Sequence, residues 1–234
     1  MNFLLVVDEI SKTFKKKTAL FPISLQAKEG ECIVLTGGNG AGKSTLLHII
    51  AGISVPSTGT VKINSIDFLK DRKKYVSNIG YMPDEFYAQQ NLTVSEFLRF
   101  YGSFRKVTDE RIREVIKLIG LEEKRNEEVK HLSKGMRQRL LFGQAICAKP
   151  AVLIMDEPTN GLDPYWINVF VDLIKQMKKN GTTVIFSTHM MDVTAEVGDK
   201  ILFMENGKLV QTLRNDFSDP ASFTVQLLKL YRKT

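Results

Sequence analysis

Gly37-Gly38-Asn39-Gly40-Ala41-Gly42-Lys43-Ser44 is the stretch that decides the fold of this 234-residue chain. It fills every fixed position of the phosphate-cradling pattern G-x-x-x-x-G-K-[ST]. Upstream, Glu31-Cys32-Ile33-Val34-Leu35-Thr36 reads as a buried strand. Downstream, Thr45-Leu46-Leu47-His48-Ile49-Ile50-Ala51 reads as a helix that opens from the loop and is closed by Gly52. Strand, loop and helix in that order separate a polyphosphate cradle from a glycine-rich turn. Glycines let the backbone wrap an anion so that several N–H groups point inward, and the helix start adds to the positive field. Lys43 supplies a mobile charge for β- and γ-phosphates, and the Ser44 hydroxyl can ligate magnesium.

The length suits one large core, or one core carrying a smaller subdomain. No window is long and apolar enough to span a bilayer. Met1 to Val7 is cut off by Asp8 and Glu9, and it reads as a strand rather than a signal peptide. The only cysteines, Cys32 and Cys147, sit in apolar segments, as buried free thiols do. A net charge of +7 is compatible with nucleic acid, an anionic membrane surface or nucleotide phosphates. The basic clusters (Lys15 to Lys17, Lys70 to Lys74, Lys178-Lys179, Arg232-Lys233) are scattered among acids and lack interleaved aromatics, so they read as solvated surface.

Residues 2–10 and 18–27 read as strands around the basic turn. Thr60 to Ile63 alternates like an edge strand, and Ile79 to Met82 is a short strand stopped by Pro83. Thr93-Val94-Ser95-Glu96 is a capping box. Ile112, Val115, Ile116 and Ile119 form the stripe of an amphipathic helix that begins at Thr108 or Asp109 and ends at Gly120. Ser133 is an N-cap for a helix running to Ala148. Residues 85–149 therefore read as a helical insert packed on the core. The α/β rhythm then resumes. Ala151 to Met155 is a continuous apolar strand of the kind covered on both faces. A helix follows over 164–179, then a strand from Thr182 to Ser187 and a short helix after His189. Asn206-Gly207 turns a hairpin. Phe223, Leu227, Leu228 and Tyr231 make one side of a terminal helix.

Asp156-Glu157 puts two carboxylates at the C-terminal end of a buried strand, the edge where parallel sheets bind ligands. The Asp there can hold magnesium and the Glu can polarise a water. Leu132-Ser133-Lys134-Gly135-Met136-Arg137-Gln138 is a capped helix start, which by itself marks either a plain helix or a phosphate contact.

Taken together these motifs resemble the ATP-binding-cassette (ABC) ATPases over nearly the whole chain. Gly37 to Ser44 resembles Walker A, Leu132 to Gln138 the signature, Ile154 to Glu157 Walker B, Asn160-Gly161-Leu162-Asp163 the D-loop, and Ser187-Thr188-His189 the switch histidine. The resemblance implies a single cassette domain over 1–234, α/β in class. It has a P-loop RecA-like core with an N-terminal antiparallel β portion (1–84 and 150–234) and an inserted helical subdomain (85–149). It also implies catalytic roles for Glu157, His189 and Lys43. ATP contacts would come from Phe14, Gly37, Gly38, Asn39, Gly40, Ala41, Gly42, Lys43, Ser44 and Thr45, and from Ser133 and Gly135 of a second chain. Magnesium would fall to Ser44, Asp156 and Asp84. Asp84 stands where the family usually has glutamine; it is shorter and, when ionised, only accepts hydrogen bonds. Gln89 and Gln90 are not slid into that role, and Phe86 and Tyr87 are candidates to line a partner groove.

The implied function is the ATPase subunit of a transporter on the cytoplasmic face of the membrane. It would pair head to tail with an identical or related cassette and drive a separate transmembrane permease. The wording around Lys134 to Arg139 and Gly80 to Pro83 resembles bacterial export-type cassettes. Nucleic acid is not expected as a partner, since the tandem cassettes of translation ATPases and the long coiled coils of repair ATPases are both missing. Asp84 motivates a regulatory, weakly hydrolysing cassette; intact Lys43, Glu157 and His189 oppose it.

Overall fold

The computed structural model describes residues 3–15, 17–85, 91–216 and 219–231. Phe86, Tyr87, Gln89, Gln90, Lys16, Arg232 and Lys233 lie outside the described residues. In chain order the elements are β1 (Leu5–Phe14), β2 (Lys17–Ala27), β3 (Cys32–Thr36), α1 (Lys43–Ile50), β4 (Thr58–Ile63), β5 (Ile66–Asp67), α2 (Arg72–Val76) and β6 (Ile79–Met82). Then come α3 (Val94–Ser103), α4 (Asp109–Leu118), α5 (Lys134–Ile146), β7 (Val152–Met155), α6 (Pro164–Lys179) and β8 (Thr183–Ser187). The chain closes with α7 (Met191–Val197), β9 (Lys200–Glu205), β10 (Lys208–Arg214) and α8 (Pro220–Tyr231).

Two sheets form. One is antiparallel, in the order β2-β1-β4-β5; the other runs β10-β9-β3-β8-β7-β6. In the second, β9, β3, β8, β7 and β6 are parallel, and β10 returns antiparallel through the Asn206-Gly207 turn. Asn206 and Gly207 both have positive φ (49° and 77°), the conformation of the hairpin turn whose twist matches its strands.

The parallel strands are mainly apolar along their middles because they serve two cores at once. Along β3, Cys32 and Val34 face a core shared with α3, α4, α5 and α6, whereas Ile33 and Leu35 face one shared with α1 and the antiparallel sheet. Leu153 and Met155 of β7 and Val184 and Phe186 of β8 join the first; Val152, Ile154 and Ile185 join the second. Alternation with period two is thus intact, with both faces covered. Cys32 and Cys147 are buried free thiols, as read from their surroundings.

The helix signals act locally. Thr93 and Glu96 complete a reciprocal capping box, and Thr108 and Ser133 cap α4 and α5 by accepting from Arg111 N and Met136 N. Some features differ from the sequence reading, among them β1, which runs on to Phe14 instead of stopping at residue 10. Thr60–Ile63 is not an edge, because Asn64 and Ser65, both at positive φ, turn the chain so that β5 pairs outside it. On α8 the buried residues are Phe223 and Leu227, with Tyr231 packed beside them; Leu228 is exposed.

Candidate functional site

Four parallel strands end at one place. The phosphate loop follows β3, Asp84 follows β6, Asp156-Glu157 follows β7, and His189 follows β8; in the sheet these strands are consecutive neighbours. Their C-terminal ends open into a cleft of about 550 Å³ lined by Asn39 to Thr45, Asp84, Asp156, Glu157, Asn160 and His189. Thr18 and Ala19 of β2 and the Asn206-Gly207 turn close its opposite wall.

The loop is held from outside. A Cβ on Gly37 would lie 2.1 Å from the Met204 carbonyl oxygen, so β9 excludes any side chain there. The Gly207 N–H donates to Ala41 O at 3.0 Å, and Phe21 N–H donates to Gly207 O at 2.8 Å. The hairpin turn therefore clips the loop to β2. Lys43, 7% exposed, donates from Nζ to the carbonyls of Gly37 (2.7 Å) and Gly38 (3.3 Å). Burial lowers its pKa, and the nearby Glu157 and Asp156 counter that shift.

The two carboxylates are fixed unequally. Ser187, at the end of β8 and fully buried, donates from Oγ to Asp156 Oδ1 at 2.5 Å and accepts from Glu157 N–H at 2.9 Å. Glu157 has φ 46°, an uncommon conformation for a residue with a side chain, and this turns its carboxylate into the cleft. Burial pushes Glu157 up to about 7; Lys43 pulls it down, and Asp156 and Asp84 raise it further. Its Oε1 is buried and makes no hydrogen bond, although His189 Nε2 lies 3.1 Å away, within ion-pair distance but off the hydrogen-bond line. Burial and Lys43 both lower the His189 pKa, so the imidazole is biased to its neutral form. A neutral ring beside a carboxylate that itself titrates near neutrality is poorly described as a salt bridge.

Asp84 Oδ1 accepts from Asn160 Nδ2 at 2.8 Å, linking the end of β6 to the loop after β7. Gln138 of α5, buried, donates from Nε2 to the carbonyls of Glu157 (3.1 Å) and Pro158 (3.2 Å). A Cβ on Gly135 would lie 2.7 Å from the Gly161 carbonyl oxygen, so the start of α5 sits against the 160–163 loop.

The cleft thus gathers Asn39, Gly40, Ala41, Gly42, Lys43, Ser44, Thr45, Asp84, Asp156, Glu157 and His189. Gly37 and Gly38 contribute backbone behind it. Ser133, Gly135 and Phe14 do not line it. Phe14 is 52% exposed at the tip of β1, with Lys12 Nζ 5.0 Å from its ring centre. Asn160, Ser187 and Gln138 fall inside motifs read from the sequence, but the sequence assigns them no contact of their own, and the 206–207 turn reads only as a hairpin. The Asn-Gly turn could be read as a turn, but nothing in the sequence tells what it touches.

Ser44 of the phosphate loop, Asp156 and Asp84 offer hard oxygens to the same cleft, which is the chemistry magnesium takes. Among the described residues no three His, Cys, Asp or Glu side chains gather into a protein-only metal cage. Among the described residues no helix is long and apolar enough to cross a membrane.

The ABC transporter family model matches residues 20–160. The linearmycin resistance ATP-binding protein LnrL of Bacillus subtilis (strain 168) is 34% identical over 211 residues, covering 88% of this chain and 68% of that protein. A solved ATP-binding subunit of an ABC transporter superposes with a TM-score of 0.86 at 25% identity, covering 96% of this chain and 99% of that one. A dimeric cassette in a post-hydrolysis state bound to ADP and Pi superposes with a TM-score of 0.83 at 27% identity, over 91% of this chain and 99% of that one.

Proposed function

Because the chain belongs to the ABC transporter ATP-binding family, we propose that this ABC ATPase powers a separate membrane-spanning permease as one of two head-to-tail cassettes. The convergence of four neighbouring strand ends on the phosphate loop carries this reading. The residues divide accordingly. Residues 1–84 and 150–234 are the core that holds ATP. Residues 85–149 are the helical subdomain, and within 1–234 they form part of a single cassette.

Within the cleft, Gly37 to Thr45 take the phosphates on backbone N–H groups, and Lys43 leaves its two carbonyls to meet them. The exchange replaces neutral carbonyl acceptors with an anionic one, so each ammonium hydrogen bond gains a charged acceptor. Ser44, Asp156 and Asp84 would hold magnesium, which would supply positive charge against the phosphates. Glu157 orients the attacking water and accepts its proton. The buried Oε1 without a hydrogen bond is the acceptor such a water needs, and burial holds the carboxyl near the pKa of an efficient general base. His189 presents an N–H to the γ-phosphate. The tautomer that presents it is neutral, in keeping with the lowered pKa of the ring. Phe14 stacks on the base from its exposed position.

Ser133 and Gly135 lie off their own cleft and belong to the composite site of a second cassette. The dimeric form of the solved relative supports this arrangement. The permease supplies the membrane path, which places the chain peripherally on the cytoplasmic face. Export is the favoured direction, on the wording of 134–139 and 80–83 and on the resistance role in the name of the Bacillus relative. Purification of the full chain from detergent-solubilised membranes tests the subunit claim. A stoichiometric polytopic membrane protein is expected, and its absence from preparations that retain ATPase activity would overturn the claim.

A further inference from the structure

Each ring nitrogen of His189 has a close neighbour. Nε2 faces Glu157 Oε1 at 3.1 Å, and Nδ1 lies 2.9 Å from the hydroxyl of Tyr231, 42 residues further along the chain. Tyr231 is the last residue of α8. That helix is seated by Phe223 and Leu227, both buried, on Met191, Ala195, Ile201 and Phe203 of α7 and β9. Phe223, Leu227 and Tyr231 are spaced by four and share one helix face, so the seat that fixes the first two also aims the third. It brings the phenol edge-on to the imidazole, with ring centres 6.3 Å apart and planes at 74°.

We propose that Tyr231 is a positioning residue for hydrolysis: its hydroxyl donates to Nδ1 of His189 and holds the neutral ring in the tautomer protonated on Nε2. This rests on the role given to His189 above. A neutral imidazole has one N–H and one lone pair, and the partner of one nitrogen decides what the other offers. A γ-phosphate oxygen can only accept. With the proton on Nδ1, Nε2 would turn a lone pair toward an anion. With Nδ1 accepting from the phenol, Nε2 carries the proton into the cleft. The same bond limits rotation of the ring about its χ2 axis. The seat of α8 on α7 and β9 is thereby connected to the atom that meets the γ-phosphate.

Tyr231→Phe in the full chain keeps the aromatic ring and removes only the hydroxyl. At saturating Mg-ATP its kcat is expected to fall about 3–10-fold, the weight of one hydrogen bond acting on the reactive geometry, with KM for ATP within about twofold of the parent. The second readout is the ¹⁵N spectrum of the imidazoles. The chain has three histidines, so His189→Ala assigns the signal. The parent is expected in the Nε2–H form, and Tyr231→Phe in a mixture with Nδ1–H. A parent-like kcat, or an unchanged His189 spectrum, overturns the proposal even if the other readout moves. Glu157→Gln and His189→Ala run in the same assay separate the two levels of the reading. If both hydrolyse ATP at the parent rate, the site assignment itself has failed; if both collapse while Tyr231→Phe does not, only the role of Tyr231 has failed.

Discussion

Ser187→Ala removes the oxygen that holds both carboxylate-bearing residues of the β7 turn. Ser187 is fully buried and Asp156 is 5% exposed, so bulk water has little access to the groups left behind. The bond to the Asp156 carboxylate is charge-assisted and contributes about 1.5–3 kcal/mol; the one from the Glu157 N–H contributes about 0.5–1.5 kcal/mol. Losing both destabilises the fold by about 2–4.5 kcal/mol. In a chain of this size 1 kcal/mol moves the midpoint by about 2–4 °C, so about 3 kcal/mol lowers Tm by roughly 6–12 °C. Thermal unfolding followed by circular dichroism in nucleotide-free buffer with a chelator measures it. Because the two groups interact directly, Ser187→Ala and Asp156→Asn combined are expected to cost less than the sum of the single changes. A Tm within about 2 °C of the parent, or strictly additive losses, would refute the reasoning that Ser187 ties the carboxylates together.

Other outcomes follow from the same geometry. Asp84→Gln removes one carboxylate of the hard-oxygen set and disturbs its contact with Asn160; the magnesium concentration for half-maximal hydrolysis is expected to rise about 10-fold, the scale typical of changes to a group supporting a metal site. A magnesium titration that superposes on the parent's would exclude Asp84 from the metal's surroundings. Ser133→Arg is expected to leave ATP binding by a single chain unchanged, since Ser133 does not line its own cleft, while abolishing ATP-dependent doubling of mass in sedimentation. Persistence of that dimer would place Ser133 outside the interface.

Much of the site could be read directly because its parts are local. A phosphate loop needs its glycines, lysine and serine in one unbroken run, and the acidic pair and the histidine each end a strand whose apolar run announces it. Parallel pairing then aligns those strand ends automatically, which is why β3, β7 and β8 deliver their residues to one edge. What could not be read is contact across the fold. Asp84 and Asn160 are 76 residues apart, and Gln138 reaches the carbonyl of Glu157 from another element; no spacing encodes either meeting. The two-residue partner β5 was too short to register as a strand, so Thr60–Ile63 read as an edge. The five-residue α2, rich in Arg and Lys, has no apolar stripe to announce it, only the buried Tyr75. Tyr231 was legible as part of a helix face, but its hydroxyl's partner depends on where α8 is seated.

The claim that this cleft hydrolyses ATP with Glu157 as its base is tested most directly by one paired measurement. Parent and Glu157→Gln chains are compared for ATP binding at equilibrium and for magnesium-dependent phosphate release. Binding is expected to be retained while the rate falls about 10²–10⁴-fold, the usual loss for a general base. Hydrolysis by Glu157→Gln at the parent rate would contradict it.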